Sequence, residues 1–172
     1  MYFNKYKKIA KEYYGTLESI YDFGKNLFEN SPAFKNILKQ NNRFEYELLV
    51  ILLFYTVQKI QMISSDKSTS RKILDLIHDR YFEDLKERLS CNFDERQQAS
   101  LALNKRYSEY SNILDKDNAV MNISTHFIAK AFLEQNNYQK DIEIILIVTQ
   151  SLVETIKVLE KSMGLIKQQY KL

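Results

Sequence analysis

The residues of this 172-residue chain that could do chemistry are few: two histidines, one cysteine, and acidic and basic side chains at helical spacing. Arg71 and His78 are seven residues apart, so on a helix they share a face. Asp75, His78 and Asp79 fall within about one turn and could offer a metal two or three ligands. A helical di-metal site needs a second acidic-x-x-His, and His126 has Ile123 three residues before it. An ordinary polar helix face is therefore expected, with no metal. Cys91 sits at an expected helix end with no histidine near it in sequence to act as its base, so it reads as a structural thiol. Glycine-rich phosphate loops, cysteine pairs and Gly-x-Ser-x-Gly turns are absent, and no cofactor is expected.

The spacing of Arg71 and His78 resembles the Arg-x(4–6)-His signature of the HEPN ribonucleases, which are all-α. That resemblance implies an RNA-cleaving site in which Arg71 stabilises phosphate charge and His78 moves protons. The motif is short, and Lys72 follows the arginine where the family usually has a different polar residue. This enzymatic reading is the runner-up.

The elements that would position such groups are helices. With three glycines and one proline, the chain lacks the turn residues of a many-stranded β fold. Apolar residues recur three or four apart between polar turn clusters. Long helices are predicted over 4–29 (bent near Gly15), 42–63, 70–89, 94–114 from an Asp94 cap, and 118–134. A short helix should start at the Ser31 cap with Pro32 in its first position. The last helix is the plainest: Ile142, Ile145, Thr149, Leu152, Ile156, Leu159, Met163, Ile166 and Tyr170 step by three and four. Gly164 should weaken its final turns. The result is an all-α, single-domain bundle of six or seven helices spanning 1–172, with a long amphipathic C-terminal helix.

Composition narrows the class of function. Hydrophobic residues are 45% and charged residues 27%, the balance of a globular protein. The net charge of +3 is too mild to argue for specific nucleic-acid binding. A single cysteine forms no internal disulfide, so nothing points to an oxidising compartment. The first residues show no secretory signal, which makes a cytoplasmic place the expectation. The longest apolar run, 48–55, is roughly half the ~20 residues a bilayer span needs, so a buried central helix is expected there. The 2–8 segment interleaves tyrosine and phenylalanine with lysine, which could suit RNA stacking or an anionic membrane surface. Aromatics are also strong protein-interface anchors.

A second resemblance covers more of the chain. Tyr46-Glu47-Leu48-Leu49-Val50-Ile51-Leu52-Leu53-Phe54, running on to Ile60, is similar to the aromatic-acidic-Leu-Leu-Val-Leu-His helix of the ubiquinol–cytochrome c chaperone family. Ile77-His78-Asp79-Arg80-Tyr81-Phe82-Glu83-Asp84-Leu85 resembles its Leu-Phe-Asp-x-Phe-Phe-x-Asp-Met block without a gap, and Leu89 continues the match. Upstream, Ile20-Tyr21 and Ser31-Pro32-Ala33-Phe34 are similar to its Leu-Tyr and Arg-x-Pro-x-Phe-Tyr segments. Downstream, Arg106, Tyr110 and Leu114 fall on Gly-Arg-x-x-x-Tyr-x-x-Ala-Leu, and a weaker echo lies over 122–133. Leu52 replaces the helix histidine, Gln58 and Lys59 the paired arginines, Lys86 the last Asp of an Asp-Met-Asp trio, and 90–94 a Gly-Val-Gly-Asp turn.

This resemblance implies a non-enzymatic, all-α assembly factor for the respiratory chain. It would hold newly made cytochrome b during cytochrome bc1 assembly, with peripheral contact at the inner membrane and a mitochondrial place as the alternative. The surface implied for the client is on the third helix: Asp79, Arg80, Tyr81, Phe82, Asp84 and Arg88. Of the adjacent pair Tyr81 and Phe82, one can face the core while the other borders an exposed strip. The charged residues could rim that strip as i,i+4 pairs. A generic adaptor whose last helix docks on a partner is the third possibility.

Overall fold

Six helices account for most of the residues that can be placed. They are α1 (Tyr2–Glu29), α2 (Asn42–Ile63), α3 (Lys67–Arg88), α4 (Arg96–Leu114), α5 (Ala119–Phe132) and α6 (Ile142–Tyr170). The structure is a computed structural model that describes residues 2–31, 34, 42–64, 66–88, 96–114, 119–132 and 142–172. Among these there is no strand.

Helix α2 sits in the middle and touches each of the other five. Its unbroken apolar character explains this, because every face must be covered by a neighbour. Leu48 and the run from Val50 to Phe54 are all at most 1% exposed. By length and composition the 43–63 stretch could cross a membrane, longer than its apolar run alone implied, yet 61% of it is buried against the other helices.

Side-chain contacts fix the directions. Lys25 on α1 reaches Glu45 on α2 at 2.5 Å, and the rings of Phe28 and Phe44 lie 5.0 Å apart, so α1 and α2 are antiparallel. Tyr6 meets Thr69 and Tyr14 meets Asp84, so α1 and α3 run parallel. Glu12 accepts a hydrogen bond from Tyr170 while Gly24 faces Thr155, so α6 returns antiparallel along α1. One continuous apolar core draws on all six helices. A cluster of Phe28, Phe34, Phe44 and Phe127 closes one end, with ring centroids 5.0–6.0 Å apart. Much of the aromatic content therefore serves packing.

The boundaries differ from the expectation in instructive ways. Helix α3 starts at Lys67, three residues before the predicted Ser70. The Asp66 carboxylate accepts the backbone N–H groups of Ser68 and Thr69 at 2.9 and 3.0 Å, which satisfies two donors a helix start leaves open. Helix α1 passes through Gly15 without a break. Gly164 does not fray α6, because Met163 and Ile166 are buried beside it and Tyr170 is tied to Glu12. Lys171, with φ 51°, then takes the left-handed position that ends many helices, and the Leu172 N–H bonds the Lys167 carbonyl. The predicted short helix and the Asp94 cap fall largely outside the described residues, as does Cys91.

Candidate functional site

Asp75, His78, Asp79 and Phe82 stand at i, i+3, i+4 and i+7 on α3, which makes them one stripe. Arg96, Ser100, Leu103 and Asn104 form the matching stripe on α4. The two stripes face each other across a cleft of about 400 Å³. Side chains bridge it at two points. Arg96 pairs with Asp79 and lies over the Phe82 ring, 5.4 Å from its centroid. Further along, His78 Nε2 is 3.0 Å from the Tyr107 hydroxyl.

The chemistry of His78 is constrained by these contacts. Burial pushes its pKa below the ordinary value, outweighing the Leu74 carbonyl and the nearby Asp75 and Asp79. The ring is therefore neutral at pH 7. In the neutral ring one nitrogen carries the proton, and the direction of the bond between Nε2 and the Tyr107 hydroxyl follows from the tautomer. Burial also holds the Tyr107 hydroxyl well above its usual pKa, so it keeps its own proton. Arg71 lies two turns back on an exposed position, about 10 Å along the helix axis. It does not line the cleft with His78. Asp75, His78 and Asp79 share the cleft wall, but no three His, Cys, Asp or Glu side chains among the described residues converge on a possible metal position.

The residues expected to meet a client divide into two sets. Asp79 and Phe82 line the cleft, and Arg80 is exposed, donating to Glu83 at 2.9 Å and forming an ion pair with Asp84 at 3.3 Å. Tyr81 and Asp84 correct the expectation. Tyr81 is 0% exposed in the core, and Asp84, 2% exposed, accepts the Tyr14 hydroxyl at 2.9 Å between α1 and α3. They hold the helix in place instead of facing outward. Arg88 closes α3, and its side chain lies outside the described residues.

A buried polar network lies behind α4, and the sequence reading missed it. Glu47 on α2 is 2% exposed. Its carboxylate accepts Arg106 Nε at 2.8 Å and the Tyr110 hydroxyl at 3.4 Å, both from α4. Arg106 also donates to Glu109 at 2.9 Å, and Glu109 lies 3.0 Å from His126 Nε2 and 3.7 Å from Lys130 Nζ on α5. Burial raises the Glu47 pKa even with the guanidinium alongside, while Arg106 stays cationic. Burial alone would raise Glu109, but Arg106, His126 and Lys130 together hold it below the ordinary value. Burial depresses His126 despite its Glu109 partner. The available signal was Glu47 itself, a carboxylate entering an apolar helix, which must find a partner if buried.

The cleft thus offers an apolar floor of Phe82 and Leu103 with carboxylate, guanidinium, hydroxyl and amide groups around it. No known protein family, curated protein or solved structure matches the chain.

Proposed function

We propose that this chain is a non-enzymatic helical assembly factor that holds a protein client in the cleft between α3 and α4. On the family resemblance, the client is newly made cytochrome b, held during assembly of the cytochrome bc1 complex from the soluble side near the membrane. One observation carries the reading. Glu47, Arg106 and Tyr110 occupy motif positions of the resemblance 59 and 63 residues apart, and they bond to one another. The motif positions thus give the buried Glu47 carboxylate the partners that its burial demands.

The cleft adds to this support. Its wall includes Asp79 and Phe82 from the motif block, and His78 on the same wall is bonded to Tyr107. Binding energy would come from Phe82 and Leu103, with the polar groups setting register. The test is to delete the gene and measure cytochrome b and bc1 activity. Both should fall, and complementation by a Phe82→Ser variant should be incomplete. Unchanged cytochrome b would defeat the reading. RNA cleavage by the purified protein that disappears in His78→Ala would replace it with the ribonuclease.

A further inference from the structure

Charge is distributed unevenly along the bundle. The outer face of α1 begins with Lys5, Lys8 and Lys11 and continues with Glu18, Asp22 and Glu29. Because α3 runs parallel to α1 and α6 antiparallel, the start of α3 and the end of α6 lie beside those lysines. Lys72 sits over the Tyr6 ring at 5.2 Å and Lys8 over the Tyr170 ring at 5.9 Å, which ties the three helices together at this end. Helix α3 adds exposed Lys67, Arg71 and Lys72, and α6 adds Lys167 and Lys171. Two described carboxylates lie here, Glu12 bonded by Tyr170 and Asp66 capping α3, and their negative charges are outnumbered by these lysines and Arg71. The last turn of α2 reaches the same end and carries Met62, 79% exposed.

We propose that this basic end docks on an anionic lipid surface, with Met62 entering the headgroup layer. A cluster of lysines near a negatively charged leaflet is attracted strongly over about a Debye length. An exposed apolar side chain beside it adds buried apolar area to that electrostatic attraction. A single-stranded nucleic acid would instead need free aromatic faces for its bases. Among the described side chains at this end, the Tyr6 and Tyr170 rings are half-buried and covered by lysines, and a thioether offers no stacking face. The modest net charge of +3 makes the attraction a property of this end, not of the whole chain.

The test is sedimentation of the full chain with vesicles of phosphatidylcholine alone or mixed equally with phosphatidylglycerol. Binding should require the anionic lipid and weaken as salt rises. Lys5→Glu with Lys11→Glu should reduce partitioning at least about twenty-fold. Lys86→Glu with Lys105→Glu carries the same net charge, places the change elsewhere, and should bind nearly as wild type. Met62→Ser should remove the part of binding that survives in high salt. Matching far-ultraviolet spectra and melting curves confirm that the variants fold. Wild-type protein that ignores anionic vesicles, equal loss in both double variants, or release from vesicles by a short single-stranded RNA would each overturn the proposal.

Discussion

At the residue scale, the Glu47–Arg106 pair makes the sharpest demand. Removing one partner of a buried ion pair strands the other charge without water. Arg106→Leu should therefore cost about 3 kcal/mol in urea unfolding. Adding Glu47→Gln to that background should recover part of the loss, since the stranded charge is gone. An additive double mutant would show that the pair does not couple. The histidines set a pH dependence. His78 and His126 both have folded-state values below the ordinary 6.5. The unfolded chain takes up protons near 6.5 while the folded chain resists, so stability is full above that value and declines as pH falls through it. Glu47, raised by burial, acts in the opposite sense. The clean reading is the difference between wild type and His78→Gln: wild type should lose more stability between pH 7 and pH 5.5. Parallel curves would show that His78 is not buried neutral.

At the scale of elements, the glycines separate packing from propensity. A Cβ on Gly24 would lie 3.0 Å from Thr155 Cγ2, and Thr155 is pinned by its bond to the Ser151 carbonyl. Gly24→Leu should destabilise the α1–α6 contact by about 1–3 kcal/mol. Around Gly15 and Gly164 nothing lies within 4 Å of the added Cβ, so alanine there should stabilise by about 0.5–1 kcal/mol each. Thermal melts of the three variants check both signs. Helix α4 is the element tied down least, burying Ala99, Leu103 and Tyr110. Its amides should exchange with deuterium sooner than those of α2.

Most helices were legible because scarce glycine and proline left few breaks and the apolar spacing repeated cleanly. The start of α3 was missed although Asp66 is a strong cap, because Ser and Thr beside it read as loop. Tyr81 and Asp84 were misplaced for a different reason. The resemblance put both on the client surface, whereas spacing alone groups Tyr81 with Ile73, Ile77 and Leu85 on the apolar, inward face. The meeting of Glu47 with Arg106 was invisible, since periodicity says which faces are apolar but not which helices face each other.

At the scale of the whole molecule, α2 is the keystone. Leu52 is 0% exposed, so Leu52→Asp places a charge where no water reaches and should abolish the cooperative melt. A soluble variant with a sharp transition would show that α2 is not the centre. Around that centre, the proposed client site is the wall shared by α3 and α4. Asp75 is exposed on that wall and suits a photo-crosslinking amino acid. Lys157, exposed on α6, is the control. Crosslinking in living cells should attach cytochrome b at position 75 and not at position 157. The same products at both positions, or no protein at position 75, would contradict a client held in the cleft.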